Sequence, residues 1–188
     1  MTAALAAPAP LRDGDVSLLL LDSSVPALIV AASHDEQITE WTQVPPALTM
    51  LEAALVTAGW ASSPTVVRLQ VALPDMAPAG MVTVWVNADG EAEVGYWLLA
   101  PARGRGVARR AVRLLADWAF ATCDIELLQL TTLLGNTPSE RVAQACGFHE
   151  VGTVSRDVKG TSRTMRLWVR TRADAVDSTA HQRDAADT

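Results

Sequence analysis

Gly95-Tyr96-Trp97-Leu98-Leu99-Ala100-Pro101-Ala102-Arg103-Gly104-Arg105-Gly106-Val107-Ala108-Arg109-Arg110-Ala111-Val112-Arg113-Leu114-Leu115-Ala116-Asp117-Trp118 reads as a strand, a tight turn and a helix in succession. Glu93 to Leu99 is rich in strand formers, and Pro101 stops the strand. Val107, Ala111, Leu114, Leu115 and Trp118 fall at helical spacing and give the helix one apolar face. Arg103-Gly104-Arg105-Gly106 lies between the two, directly at the helix start. Glycines there let a ligand approach the backbone closely. The first turn of a helix carries unpaired N–H groups and a partial positive charge. Together these features predict an anion site, most naturally one for phosphate.

The run lacks the Gly-Lys-Ser/Thr of a P-loop, and it lacks the third glycine and downstream acid of a dinucleotide fingerprint. Arg103-Gly104-Arg105-Gly106-Val107-Ala108 instead resembles the Arg/Gln-x-x-Gly-x-Gly/Ala pyrophosphate loop of the GNAT superfamily of acyl-CoA N-acyltransferases. Gly95-Tyr96-Trp97, Asn136-Thr137-Pro138-Ser139 and Cys146-Gly147-Phe148 follow the pattern of its RimJ/RimL-like branch, in the same order along the chain.

The chain has 188 residues, 49% of them hydrophobic, enough for one domain with a sizeable core. A charged fraction of 19% and a net charge of −6 argue against a general nucleic-acid or anionic-membrane binder, although arginines cluster between Arg103 and Arg113. Two cysteines, Cys123 and Cys146, make no disulfide framework and suit a reduced compartment. Met1 to Pro10 has no basic segment followed by an apolar run, and Leu18-Leu19-Leu20-Leu21 is too short to span a bilayer. The expected location is the cytoplasm. His34, His149 and His181 are scattered, so no metal-ligand spacing exists.

Residues 1–10 are expected to be disordered, 11–170 to form a single domain, and 171–188 to be a disordered tail. Strands are expected at Val16–Leu21, Thr65–Leu73, Met81–Val86, Glu91–Leu99 and Ile125–Leu134, followed by a closing hairpin of Phe148–Arg156 and Ser162–Arg170. Helices are expected at Val25–Ser33, from Pro45-Pro46 to Ala58, from Gly104 to Thr122 and from Asn136 to Cys146. His34 to Val44 and Pro74 to Gly80 read as loops, and Asn87–Gly90 as a hairpin turn. This order predicts an α+β (mixed α/β) fold with helices on both faces of a mostly antiparallel sheet. The resemblance implies that the sheet is splayed where its central strands part.

The resemblance also assigns roles. The amides of Gly104, Arg105, Gly106, Val107 and Ala108 would hold the pyrophosphate of acetyl-CoA, with charge from Arg103, Arg105, Arg109 and Arg110. The peptide groups of Leu98, Leu99 and Ala100 would pair with the pantetheine arm, and an N–H near Leu98 would receive the developing oxyanion. Asn136 would cap its helix, contact the arm, or do both. Glu93 is the candidate base, unless it is a surface carboxylate like Glu91; Glu36 and Glu40 are alternatives. Ser139 is the candidate thiol partner and proton donor, or else a first-turn helix serine. Trp41 borders the acceptor groove or packs beneath a surface loop.

Two positions depart from the superfamily pattern. Ala143 stands where many members have tyrosine, and Gln129 where the commonest base lies. The sequence therefore supports two functions. One is an acetyl-CoA-dependent N-acetyltransferase acting directly on a primary amine, such as a protein N-terminus, an amino acid or a small amine. The other is a CoA-binding sensor module without turnover. The acidic net charge favours a cationic acceptor through steering. The partners are then an amine-bearing molecule, no nucleic acid and no membrane, with the chain a monomer or homodimer.

Overall fold

The computed structural model describes residues 8–86 and 91–174. Its elements in chain order are β1 (Leu11–Asp13), β2 (Val16–Leu20), α1 (Val25–Ser33), α2 (Glu36–Trp41), α3 (Met50–Ala58), β3 (Val66–Leu73), β4 (Met76–Val86), β5 (Ala92–Leu98), α4 (Val107–Thr122), β6 (Leu127–Leu133), α5 (Thr137–Ala145), β7 (His149–Val158) and β8 (Thr161–Thr171). Short 3-10 turns follow α3 at Gly59–Ser62 and β5 at Ala100–Ala102.

The strands form one sheet of eight in the order β1-β2-β3-β4-β5-β6-β8-β7. Every neighbouring pair is antiparallel except β5 and β6. Those two run parallel and pair only at Ala92↔Leu128 and Glu93↔Gln129. Beyond these positions the strands part, while β5 stays paired to β4 as far as Gly80↔Leu98. The backbone edges of β5 and β6 past Glu93 and Gln129 therefore face a gap in the middle of the sheet.

Opposite faces of the sheet carry different helices. Val107, Ala111, Val112, Leu115, Ala116, Ala119 and Phe120 recur along one side of α4 and are all buried. They pack on Val16, Leu18, Leu69, Val71, Val82, Val84, Val94 and Leu130. α1 and α3 cover the other face, where Val25, Leu28, Ile29 and Ala53 meet Met81, Trp97 and Leu99. Alternation along β5 explains the split: Trp97 pairs with Met81 on one face and Tyr96 with Val82 on the other.

Gly80 sets how closely β4 and β5 approach at the mouth of the gap. A Cβ there would lie 2.3 Å from the Trp97 carbonyl oxygen and 2.9 Å from the Leu98 Cα. Both are backbone atoms and cannot swing aside. Gly80→Ala is therefore expected to destabilise the fold by about 3 kcal/mol, a fall of roughly 6–12 °C in melting temperature for a chain of this size. A loss below about 1 kcal/mol in a thermal melt would mean that the strands separate there without resistance.

The layered fold and the strand–turn–helix unit agree with the sequence reading, with these corrections. Residues 36–41, read as loop, form α2, because the Asp35 carboxylate accepts the Ile38 N–H at 3.2 Å and caps it. The next helix begins at Met50 rather than after Pro46, at a capping box in which Thr49 and Glu52 satisfy each other's backbone N–H groups. Part of Pro74–Gly80, also read as loop, belongs to β4, which starts at Met76 beyond a register shift between Val71 and Leu73. The sheet continues past residue 170. β8 includes Thr171, and the Arg172 guanidinium donates to the carbonyls of Phe120, Cys123 and Ile125. The Asn87–Gly90 turn and segments 1–7 and 175–188 lie outside the described residues.

Candidate active site

The turn at Gly104–Gly106 is built for exposed backbone nitrogen. Gly104 and Gly106 both have φ of +71°, a conformation that costs other residues about 1–2 kcal/mol. A Cβ on either glycine would meet nothing within 4 Å. Gly106 is the N-cap of α4 and brings no capping side chain. The first amide bonded back into the helix is that of Arg110, to the Gly106 carbonyl at 3.3 Å. Among the described residues, the amides of Gly104, Arg105, Gly106, Val107, Ala108 and Arg109 have no hydrogen-bond acceptor. Six N–H groups thus lie without an internal partner at the positive end of a 16-residue helix.

The arginines of this turn serve differently from one another. Arg103, expected to supply charge to the phosphates, is turned into the protein. Its Nε donates to the Leu98 carbonyl at 2.9 Å, and its terminal nitrogens donate to Gln37 Oε1 and Asp35 Oδ2, each at 2.7 Å. Its N–H closes the preceding turn onto Ala100. Arg103 therefore ties α2 to the end of β5, because Asp35 both caps α2 and pairs with it. Burial alone would push the Asp35 carboxyl up; the Arg103 hydrogen bond and the Ile38 N–H outweigh it and hold the group below the usual carboxylate range. Arg105 pairs with Asp75 at 3.1 Å on the surface, and Arg110 pairs with Asp15. Of the four, Arg103 and Arg109 line the groove, and only Arg109 does so without a carboxylate partner among the described residues.

That groove occupies about 1180 Å³. It runs from the glycine turn, through the gap between β5 and β6, to a wall made by α2 and the β7–β8 hairpin. Gly104, Gly106, Val107, Ala108, Asn136 and Ser139 line one end. Trp41, Arg68, Trp85, Glu93 and Arg156 line the other. Trp41 closes α2 and is half-buried in the groove wall rather than beneath a surface loop. Glu36 and Glu40 are exposed and lie outside the lining.

Two of the peptide groups expected on the pantetheine arm already have a partner inside the protein. The Leu99 N–H donates to the Ala79 carbonyl at 2.9 Å, and the Ala100 carbonyl accepts from Arg103. Neither residue lines the groove. In an antiparallel ladder, alternate residues turn both backbone groups toward one partner. With Leu99 facing β4, Leu98 and Tyr96 turn theirs to the open side, and the Arg103 Nε found on the Leu98 carbonyl agrees with this.

Glu93 is not a surface carboxylate. Its side chain is 14% exposed, its Oε1 accepts from Thr131 Oγ1 at 2.7 Å, and its Oε2 lies 3.9 Å from the Arg156 guanidinium. It sits where the gap opens, one residue past the last paired position but one of β5. Asn136 caps α5, its Oδ1 accepting the Ser139 N–H at 3.2 Å, and also lines the groove. Ser139 Oγ is 2.9 Å from the hydroxyl of Tyr96. Burial pushes the Tyr96 phenol up to about 12, above its ordinary value and against the weaker pull of the Ser139 hydrogen bond. It therefore remains protonated, and able to donate, throughout the neutral range.

Sequence reasoning missed Tyr96, Trp85, Arg68 and Arg156 as site residues. Tyr96 had a signal: alternation along β5 places it on the face opposite Glu93, so the two flank the gap from either side. Arg156 had none, since it reaches Glu93 only through the closing hairpin.

Comparison with known proteins gives the same answer as the geometry. Residues 18–149 match the acetyltransferase (GNAT) domain. The Probable N-acetyltransferase YjcK of Bacillus subtilis is 34% identical over 66 residues, 35% of this chain and 36% of that protein. The match thus spans about a third of the length of this curated relative. Among solved structures, RimL, a ribosomal L7/L12 alpha-N-protein acetyltransferase in complex with coenzyme A, superposes with a TM-score of 0.76 at 17% identity, covering 87% of this chain and 98% of that one. The spermidine N-acetyltransferase of Vibrio cholerae in complex with CoA and spermine gives 0.75 at 16% identity, covering 87% and 99%. With its sheet parted above a glycine turn of unpaired amides and most of its length matched by the family profile, the chain belongs to the GNAT acetyltransferase family.

Proposed function

We propose that the protein is a RimJ/RimL-like N-acetyltransferase that moves an acetyl group from acetyl-CoA directly to a primary amine, in the cytoplasm and without an acyl-enzyme. The observation that carries this reading is the set of six unpartnered amides at Gly104–Arg109, placed at one end of a groove that leads through the sheet gap to Glu93. The cradle fits a pyrophosphate: it is open, positively polarised and free of side-chain bulk. Gly104, Gly106, Val107 and Ala108 would hold the pyrophosphate, Arg109 would add charge, and Asn136 would meet the arm. When bound, acetyl-CoA supplies an activated thioester.

The remaining steps belong to the chain's own side chains. Glu93 takes a proton from the incoming ammonium, directly or through one water, because only the neutral amine attacks. The Leu98 N–H, turned to the gap, donates to the carbonyl oxygen as it gains negative charge. Tyr96, sharing a hydrogen bond with Ser139, gives its proton to the departing sulfur. The two carriers stand on opposite faces of the sheet and act through the gap, one removing a proton and the other returning one. This arrangement favours an enzyme over a CoA-binding sensor module, because it offers substitutes for both departures, Gln129 and Ala143.

The direct test is CoA release from acetyl-CoA over a panel of primary amines; saturable binding of CoA with no release for any amine would favour the sensor module. Within this reading, Tyr96→Phe is expected to lower kcat about 100-fold with little change in CoA affinity. If Ser139→Ala costs more than Tyr96→Phe, the serine rather than the phenol delivers the proton.

A further inference from the structure

The acceptor end of the groove can be read for charge by accounting for each ionic group that faces it. Glu93 has Arg156 at 3.9 Å. Arg103 has Asp35 at 2.7 Å. The Asp157 carboxylate accepts the Gly160 N–H at 3.0 Å within the β7–β8 turn. Arg109 and Arg141 lie toward the glycine turn and α5. Arg68 remains. It stands on β3, lines both the groove and the smaller adjoining pocket that Trp60 lines, is half-buried, and has no carboxylate or carbonyl partner among the described residues. Its guanidinium lies 4.7 Å from the centroid of the Trp60 ring. Burial draws its proton affinity below the ordinary arginine value, although the group stays charged at any working pH.

A desolvated cation without a counter-ion is costly, and stacking on an indole offsets only part of that cost. The stacking also fixes the guanidinium plane and leaves its edge donors unused. Register places Arg68 opposite Thr83, and Thr83 opposite Gly95, two residues along β5 from Glu93. Strand spacing then separates the Cα atoms of Arg68 and Glu93 by roughly 12 Å, a span shortened by the reach of both side chains. Between them Trp85 lies over Gly95, where a Cβ would come within 3.0 Å of the indole. Trp41 supplies a second aromatic wall.

From this juxtaposition we infer that the acceptor is an anionic amine: a molecule whose primary amine meets Glu93 while a carboxylate or phosphate several bonds away is held by Arg68. The inference rests on the acetyltransferase reading above and names its substrate class. It departs from the expectation of a cationic acceptor, which followed from the −6 net charge of the whole chain. The local field in the groove, not the total charge, faces the ligand. A guanidinium recognises an oxyanion through charge-assisted, bidentate bonds that a neutral amide cannot return.

The test pairs each acid with its uncharged counterpart: β-alanine, γ-aminobutyrate and 6-aminohexanoate against their carboxamides, and O-phosphoethanolamine against ethanolamine. The first three pairs probe a carboxylate and the last a phosphate. The readout is the ratio of kcat/KM for acid over neutral partner. At least one pair is expected to favour the acid by 10-fold or more in the wild type, with the ratio falling toward 1 in Arg68→Gln and below 1 in Arg68→Glu. Melting temperature and CoA affinity of each variant check that it is folded. No acid preference in any pair, or a ratio in Arg68→Gln within twofold of wild type, overturns the inference. If no amine is acetylated at all, the enzymatic reading fails separately. Calorimetry of the same acids on the CoA-loaded protein then decides: binding at least 10-fold weaker in Arg68→Gln upholds the anion site, and its absence overturns it.

Discussion

Gly106→Trp is expected to raise the dissociation constant for CoA at least 100-fold while leaving a folded protein. The position combines two properties that rarely coincide. Its φ of +71° sets α4 in motion from a left-handed N-cap, and the direction of its missing Cβ is empty for 4 Å. The Cβ of a tryptophan there meets no protein atom within 4 Å. It fills the space in front of the unpartnered amides of Gly104 to Arg109. The backbone strain of a non-glycine residue is about 1–2 kcal/mol, which a domain stable by about 5–15 kcal/mol tolerates. A hydrogen bond to a charged group contributes about 1.5–3 kcal/mol. Losing two of them costs about 3–6 kcal/mol, or between 10² and 10⁴ in affinity at about 1.4 kcal/mol per decade.

Gly104→Ala separates strain from blockade. It shares the φ of +71° and the empty Cβ direction but adds only a methyl group, so its loss of CoA affinity is expected to stay below about 10-fold. Titration calorimetry with CoA and a thermal melt on each variant make the comparison. A Gly106→Trp protein that is folded and binds CoA within tenfold of wild type would remove the turn from the cofactor site.

The parts of this molecule that sequence alone conveys are those fixed within a few turns of chain. The strand, glycine turn and helix from Glu93 to Thr122 depend on β-formers, a proline stop, glycines that permit positive φ and a 3.6-residue apolar stripe, all visible locally. The paired closing hairpin is legible for the same reason, around Lys159-Gly160. α2 is not, because six residues carry too little periodicity to stand out from a polar loop, and its stability comes from one aspartate cap that Arg103 also holds. The start of β4 is hidden by Pro78 and Gly80, which read as loop residues until the close approach of the Trp97 carbonyl explains the glycine.

Site assignments divide along the same line. Gly104, Gly106, Asn136 and Ser139 lie in local motifs and do line the groove. Arg103 sits in the same motif, yet its side chain faces residues 66 and 68 positions away, which no local pattern announces. Tyr96 meets Ser139 across 43 residues and Arg156 meets Glu93 across the sheet gap, so both depend on tertiary closure. The availability of Leu98 rather than Leu99 turns on hydrogen-bond phase in the ladder, which a sequence does not state.

Glu93→Gln is expected to lower kcat at neutral pH by 10² to 10⁴, the range over which a positioned general base contributes. The substitution is nearly isosteric. Glutamine still accepts the Thr131 hydroxyl at the place where Glu93 Oε1 now does, at 2.7 Å, so the strand geometry at the gap is kept. What it loses is the ability to take a proton. An alkyl ammonium with a pKa of about 10 is neutral in only about one part in a thousand at pH 7, and the carboxylate increases the attacking fraction within the complex. Raising the pH does the same work from solution. The defect should therefore shrink as pH approaches the pKa of the acceptor, with wild-type and variant profiles converging on the alkaline side and diverging below it. CoA affinity, set at the other end of the groove, is expected to change less than twofold, and Glu93→Asp should recover part of the rate despite its shorter reach. A pH–rate series of kcat for the two variants beside the wild type measures this. A defect of equal size at every pH would make Glu93 a positioning group tied to Thr131 and Arg156, and the proton would then have to leave the amine by another path.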